Sequence, residues 1–374
     1  MHIHPAHSMP FDELVARLNA ASEQRLVYER FDPEGLVLYV YSSHCVFEAA
    51  WEPVTLAARG LILDLDASRI VATPFPKFFN AGERDGPIPD LPFETTEKLD
   101  GSLIIIFHHR GRWRTATKGA FDSAQAVWAQ ARLDSLDLSP MRPGVTYLAE
   151  ATYPENKIVV HYAEPALRML AAYGETGIEL PWDDVVSTGT VLGLSTAKRH
   201  HFGSVSELLA VAKTLPRSEE GFVLRFANGL RLKVKGDEYK RIHALISGLT
   251  PLAMWEAMAS RTDMQTIRRD LPEEFWGDFD SIVAILNAQL TALVDHVAQV
   301  ARSVETLSDK EIGLRLSSFD ETVKPFIFDF RKSGGNLLAG RSRDRLFRLI
   351  RPTGNVLPGY VPSYAVNRVL DEAG

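Results

Sequence analysis

The chain has 374 residues, 45% hydrophobic and 24% charged, with a net charge of −7 at pH 7, which describes two globular domains, or one large domain with an appendage, each able to bury a core. The single cysteine, Cys45, excludes a disulfide framework and a cysteine zinc site, and the acidic balance excludes wholesale coating of nucleic acid while leaving room for a local basic groove. No uninterrupted run of about 18 apolar residues is present, and the start, Met1-His2-Ile3-His4-Pro5-Ala6-His7, lacks a cationic and apolar leader, so the expectation is a cytoplasmic protein that neither spans a membrane nor is secreted.

In chain order, the spacing of Phe11, Leu14, Val15 and Leu18 predicts a helix over 11–20. The histidines at 2, 4 and 7 ahead of it read as a disordered tail rather than a metal site. Strands are expected at 36–41, 59–65 and 70–73, followed by the short segment Pro76-Lys77-Phe78-Phe79-Asn80. The stretch Glu97-Lys98-Leu99-Asp100-Gly101-Ser102 lies between Pro/Gly-rich sequence and the apolar run Leu103-Ile104-Ile105-Ile106-Phe107. That context sets Lys98 at the entrance to a strand, on the wall of a core. A turn at Arg110-Gly111 leads into a strand near 113–119, and Asp122 is placed to cap a helix over 123–133. Further strands are expected at 147–152, 157–162 and 168–173. Ser204 and Glu207 have the spacing of a capping box that opens a helix ending before Pro216. The runs 221–226 and 230–235 flank Asn228-Gly229, a hairpin signal.

Past about residue 243 the apolar period becomes helical. Thr250-Pro251 pairs an N-cap with proline at the first helical position. Ile282, Leu286, Leu290, Leu293, Val297 and Val300 form one stripe, and Ser308–Glu311 and Ser318–Glu321 have capping-box spacing. The reading is α+β: a β-rich domain over 1–243, then an all-α domain over 244–374. Between Arg331 and Arg351 the helical part carries seven Lys/Arg and one acid, Asp344. This segment is either a solvated helix face or a patch for RNA phosphates, with Arg341, Arg343, Arg345 and Arg348 as candidates.

Charged residues recur at strand edges of the β-rich part, where a core favours apolar ones. Arg59 precedes an apolar strand, Lys77 precedes two phenylalanines, Glu150 interrupts Tyr147-Leu148-Ala149, and Glu220 leads a strand. Lys233 and Lys235 alternate with Leu232 and Val234 and so share one face. Lysine is a poor nucleophile while protonated, so chemistry at Lys98 requires nearby cations or desolvation to lower its pKa. Gly101 would let the backbone approach a ligand closely.

This ordered set resembles the covalent nucleotidyltransferases, the ATP-dependent polynucleotide ligases and mRNA-capping enzymes. Their K-x-D-G motif matches Lys98-Leu99-Asp100-Gly101, and their later motifs match around Glu150, at Glu220-Gly221-Phe222-Val223 and at Leu232-Lys233-Val234-Lys235. Arg59-Gly60, Lys77-Phe78-Phe79-Asn80, Asn156-Lys157-Ile158-Val159 and Glu175-Thr176-Gly177 narrow the likeness to the bacteriophage RNA ligase 1 family, the tRNA-repair type, over roughly residues 30–243. Leu99 departs from the acidic residue usual in the phage enzymes; its side chain should point away from the lysine.

The resemblance implies an ATP-grasp-like ligase domain and a reaction in which Lys98 takes AMP from ATP, AMP passes to an RNA 5′-phosphate, and a 3′-hydroxyl displaces it. It implies Lys233 and Lys235 on the phosphates, their positive field helping to deprotonate Lys98, and Arg59 and Lys77 on the pyrophosphate or the incoming 5′-phosphate. Glu150 falls to the ribose, Phe79 to the nucleoside, Val223 to the adenine and Lys118 to the triphosphate, with Glu97 in the nucleotide-binding set. Glu220 is the expected ligand of Mg²⁺, directly or through water, with Asp100 near the metal as a second ligand or bracing Lys98, and Mn²⁺ as a substitute. RNA with 5′-phosphate and 3′-hydroxyl ends, tRNA among them, is the implied partner, and an end-healing kinase-phosphatase would act upstream. The alternatives are a GTP-using capping enzyme or a DNA ligase, against which the helices standing where an OB-fold would follow argue, and a non-catalytic RNA-binding module.

Overall fold

Period-two apolar patterning in the first part of the chain builds three sheets, seen in a computed structural model that describes residues 3–84, 87–156, 158–271 and 275–362. The strands are β1 (Val27–Phe31), β2 (Leu36–Tyr41), β3 (Arg59–Asp64), β4 (Arg69–Ala72), β5 (Phe79–Asn80), β6 (Phe93–Lys98) and β7 (Ser102–His109). They continue with β8 (Arg112–Thr117), β9 (Thr146–Thr152), β10 (Ala166–Tyr173), β11 (Arg199–His200), β12 (Gly221–Phe226) and β13 (Arg231–Lys235). The sheet orders are β1-β2-β3-β4, β10-β9-β7-β8 and β11-β6-β12-β13-β5.

The continuous apolar run in β7 has a direct cause: both its faces are buried. Ile104 and Ile106 pack with Ala129, Leu133, Val185 and Leu192 of the helices Ala124–Leu133 and Trp182–Leu192. Ile105 and Phe107 pack on Leu38, Val40 and Ile62 of the first sheet. That sheet's other face, with Val37, Tyr39, Leu61 and Leu63, is covered by Leu14 and Leu18 of the helix Phe11–Glu23. In the third sheet Phe222, Leu224, Phe226 and Val234 turn towards the helix Val205–Ala212, which leaves the opposite face for Lys98, Val223, Lys233 and Lys235.

Two glycines bring these layers together. Gly60 has a φ of 93° and is the extra residue where the β2–β3 register slips between Leu61 and Arg59. This bulge re-aims Arg59, and a Cβ on Gly60 would strike Ile105 and sit 3.0 Å from Lys118 Cα. At Gly101 a Cβ would collide with the Ala151 carbonyl. Its role is therefore to press the 98–102 turn against β9, not to admit a ligand.

Several sequence expectations are revised. Lys98 ends β6 instead of entering the following strand, so the turn carries the chain from the third sheet to the second. Residues 158–162 form no strand, because the Val159 and Val160 N–H groups donate to Asp100 Oδ2 at 2.8 and 2.7 Å; Lys157 lies outside the described residues. Ser123, not Asp122, caps its helix. Ser204 caps as expected, but Glu207 accepts from the Gly203 N–H. The supposed histidine tail is docked: His4 is 1% exposed and lies edge-on to Tyr173, and His7 Nε2 is 2.8 Å from Thr73 Oγ1. His2 lies outside the described residues.

The described residues fall into two compact units, one reaching to Arg241 and the other beginning at Ile242. In the second, every element is a helix, and Val297, Ile312, Phe326, Ile327 and Leu346 form the core. Thr250 and Ser308 cap as their sequences predict. Ser318 does not; it ends a short 3₁₀ turn and donates to the Arg315 carbonyl. The helix Trp276–Ser303 is long and apolar enough to cross a membrane by length and composition, with a mean hydropathy of 1.4. This revises the expectation of no such segment, which counted only unbroken apolar runs. Its Ile282, Leu286 and Val297 are buried within the helical unit.

Gly60→Ala should destabilise the protein by about 1–3 kcal/mol in urea denaturation, since alanine is strained at this φ and overlaps β7. Wild-type stability would refute the role given to the bulge.

Candidate active site

The junction of the three sheets collects most of the charged residues singled out from the sequence. Lys98 and Lys235 flank Gly221 on neighbouring strands, because β12 lies between β6 and β13. Glu220, just ahead of β12, is 3% exposed and bridges both lysines: Lys98 Nζ lies 2.6 Å from Oε2, and Lys235 Nζ lies 3.2 Å from Oε1. Glu150 enters from β9. Burial, reinforced by Glu220 and Asp100 and opposed by Lys98 and Arg59, pushes its carboxyl up to about 7.

Burial works against the charge of Lys98, but Glu220, Glu150 and Asp100 outweigh it, so the amine is held above the ordinary lysine value. This corrects the expectation that Lys233 and Lys235 activate Lys98. The partners in contact with the amine are acidic, and they stabilise the ammonium.

Of the two roles expected of Asp100, the structure fits the brace and not the metal ligand. Its carboxylate accepts from the Val159 and Val160 N–H groups and from the Tyr239 hydroxyl at 2.8 Å, while its own N–H donates to Tyr162 Oη at 3.0 Å. It is 2% exposed and serves as the brace of the lysine turn. Tyr162 and Tyr239 were not foreseen, since a lone tyrosine in a sequence carries no mark of a distant carboxylate partner. Asn156 adds a further brace: its Nδ2 donates to the Ala151 carbonyl, and its Oδ1 accepts from Ser102.

Arg59, Lys77, Lys118 and Lys233 form a cationic group that, among the described residues, has no carboxylate in ion-pair contact. Burial lowers Lys118 to about 8, helped by Arg59 and Lys77. Burial likewise lowers Lys233 to about 8, helped by Lys77, Lys98, Lys235 and Arg59. Arg59 Nη1 is buried without a hydrogen-bond partner, and the guanidinium lies 5.5 Å from the Phe78 ring. Lys77 Nζ sits within 5.8 Å of the rings of Tyr41, Trp51 and Phe79. Charges held this close without counter-ions make an anion site.

One expected residue is placed otherwise. Glu97 points to the face opposite Lys98 and accepts from the Lys198 N–H at 2.8 Å. Phe79 is 8% exposed, between Trp51 and Arg84, with Lys77 Nζ 5.1 Å from its ring, and Phe78 lies 5.5 Å from Arg59 and 6.0 Å from Lys233. Leu99 is buried, as its departure from the family pattern allows. Val223 stands on the Lys98 face, opposite Lys233.

A sequence model of the RNA ligase family matches residues 57–239, the span that holds every charged group just described. Residues 57–239, just under half of the chain, are thus similar to the RNA ligase family. RNA ligase 1 of bacteriophage TS2126 is 30% identical over 199 residues, which cover 47% of this chain and 49% of that protein. A protein of Autographa californica nuclear polyhedrosis virus, provisionally named as a bifunctional polynucleotide kinase/RNA ligase, is 29% identical over 222 residues, covering 51% of this chain and 31% of its own. The chain thus spans half or less of the length of these relatives. A solved archaeal ATP-dependent RNA ligase superposes with a TM-score of 0.53 at 15% identity, over 75% of this chain and 83% of that one, a likeness of fold.

In the folded protein Glu150 keeps its proton up to about pH 7, whereas an exposed glutamate loses it near 4.5. Between those values folding takes up a proton, so this group lowers stability as pH rises. Glu150→Gln should therefore gain stability relative to wild type between about pH 5 and about pH 7.5 in urea denaturation. An unchanged difference would refute the buried carboxyl.

Proposed function

We propose that the protein is an ATP-dependent RNA ligase that joins 5′-phosphate and 3′-hydroxyl ends through a lysyl-AMP on Lys98. The observation that carries this reading is the position of the Lys98 amine, ion-paired to a buried carboxylate beside a group of cations with no counter-ions of their own. A triphosphate answers that charge. Arg59, Lys77, Lys118 and Lys233 would hold its phosphates, Val223 would close the adenine side, and Glu150 would take the ribose hydroxyls. Lys98 Nζ attacks the α-phosphorus, the N–P bond forms as the bond to pyrophosphate breaks, and the ammonium proton leaves through Glu220 Oε2, its existing acceptor. Adenylate then passes to the RNA 5′-phosphate and is displaced by the 3′-hydroxyl. Each step is a phosphoryl transfer that relies on positioning and charge neutralisation.

Glu220 and Glu150 fit a divalent cation, since Mg²⁺ needs only one or two carboxylates beside phosphate oxygens. When bound it would neutralise the acids that keep Lys98 protonated and part of the triphosphate charge. The role we propose is RNA repair, tRNA included, and the pairing of kinase and ligase in the viral relative's name supports a kinase that prepares the ends first.

Incubation with labelled ATP and a divalent metal should give a covalent AMP adduct on denaturing electrophoresis, absent in Lys98→Ala, and its rate should rise with pH as the amine deprotonates. A GMP adduct would instead favour a capping enzyme, and no adduct a non-catalytic binder.

In the helical unit, Arg343 donates to the Met258 and Ala259 carbonyls at 2.6 Å and is structural. Arg341, Arg345 and Arg348 are exposed along one stripe of the helix Gly340–Leu349. Charge reversal at Arg341 and Arg348 should weaken RNA joining and spare the adduct, whereas Arg343→Ala should lower the thermal midpoint. Equal loss of both activities in the Arg341/Arg348 variant would refute RNA contact there.

A further inference from the structure

A cavity of about 550 Å³ opens beside the β7–β8 hairpin turn, lined among others by His7, Phe11, Arg69, His109, Arg110 and Glu175. It is not the lysine site: β7 begins next to the Lys98 turn and ends at His109, some ~20 Å further along an extended strand. His109 is 2% exposed, yet neither ring nitrogen has a hydrogen-bond partner, and such groups in a folded protein call for one.

The cations at the cavity are also under-used. Arg69 Nε is 3.9 Å from its nearest acid oxygen, on Asp64, and Arg110 forms no ion pair among the described residues. Arg110 is held at a φ of 48° in the two-residue turn with Gly111, a position that such turns usually give to asparagine, aspartate or glycine. A strained arginine on a cavity wall is a pointer to a ligand. His7 stays neutral, since burial pushes it down to about 4, and is already engaged with Thr73.

We propose that this cavity binds a phosphorylated nucleoside, either free or as the end of an RNA strand. Arg69 and Arg110 face the phosphate, and His109 lies behind them in the wall. Glu175 accepts from ribose or base hydrogens, and Phe11 provides an apolar wall. The volume lies within the range of small-molecule sites. The inference stands independently of the ligase reading, because it concerns different residues and is read by binding.

The full chain, with no other nucleotide present, would be dialysed against labelled adenosine 3′,5′-bisphosphate and, separately, a short 5′-phosphorylated RNA. One ligand per chain is expected, weakened at least about tenfold in Arg69→Ala/Arg110→Gly, as the loss of charge-assisted hydrogen bonds predicts. Glycine suits the positive φ at 110, and a thermal midpoint at or above the wild type's would show the variant folded. Adduct formation on Lys98 should be unchanged. Binding of the bisphosphate identifies a free nucleotide, and binding of the RNA alone identifies a strand end. No ligand, or only one that the double variant leaves unaffected, overturns the proposal.

Discussion

Everything at the lysine site depends on one buried carboxylate. Glu220 holds Lys98 with one oxygen and Lys235 with the other, and the rest of the junction is arranged around that bridge. Removing one member of a buried ion pair typically costs about 3–5 kcal/mol, because the other charge is stranded. The pair is thus a structural clamp in the free protein, and the lysine it clamps is kept protonated. Chemistry on that amine requires the acidic surroundings to be neutralised first, which ties reactivity to the arrival of cationic and phosphate-bearing partners.

The scaffold separates two electrostatic regions a few residues apart. On one side Glu220, Glu150 and Asp100 surround the amine; on the other, beside Arg59, burial and then the neighbouring cations lower the proton affinity of Lys77, Lys118 and Lys233. Neither grouping is stable in isolation. The acids are tolerated because Asp100 is saturated by two backbone N–H groups and a tyrosine hydroxyl. The cations are tolerated because several lie over aromatic rings, Phe78 beneath Arg59 and the Tyr41–Trp51–Phe79 group around Lys77. Aromatic faces offset part of the cost of crowding like charges without cancelling the field a phosphate would meet.

In the helical unit, composition proved a poor guide to which arginines are available. Arg343 caps carbonyls of the helix Pro251–Ala259 and stacks on Phe347, and Arg331 reaches Asp309 and the Val304 carbonyl. Both belong to the packing. Arg341 and Arg348 remain on the open face. Seven basic residues in a segment are therefore not seven phosphate contacts, because the guanidinium also serves as a cap for buried carbonyl groups.

Local pattern determined a great deal. Alternation placed the strands at 36–41, 59–64 and 221–235, the helical stripe at 282–300 followed from its period, and Lys98, Glu150, Glu220, Lys233 and Lys235 stood out as charges where a core wants none. These are short-range signals, and the alternating lysines were correctly read onto one face. Only the tertiary structure decided what each charge meets. The sign of the field on Lys98, the commitment of Asp100 to backbone groups some sixty residues away, the bulge at Gly60 that aims Arg59, and the diversion of Glu97 to the other face of its strand all depend on partners distant in the chain. The run at 157–162 shows the limit most plainly: it has the composition of a strand, but two of its backbone donors belong to a carboxylate that no local pattern could have announced.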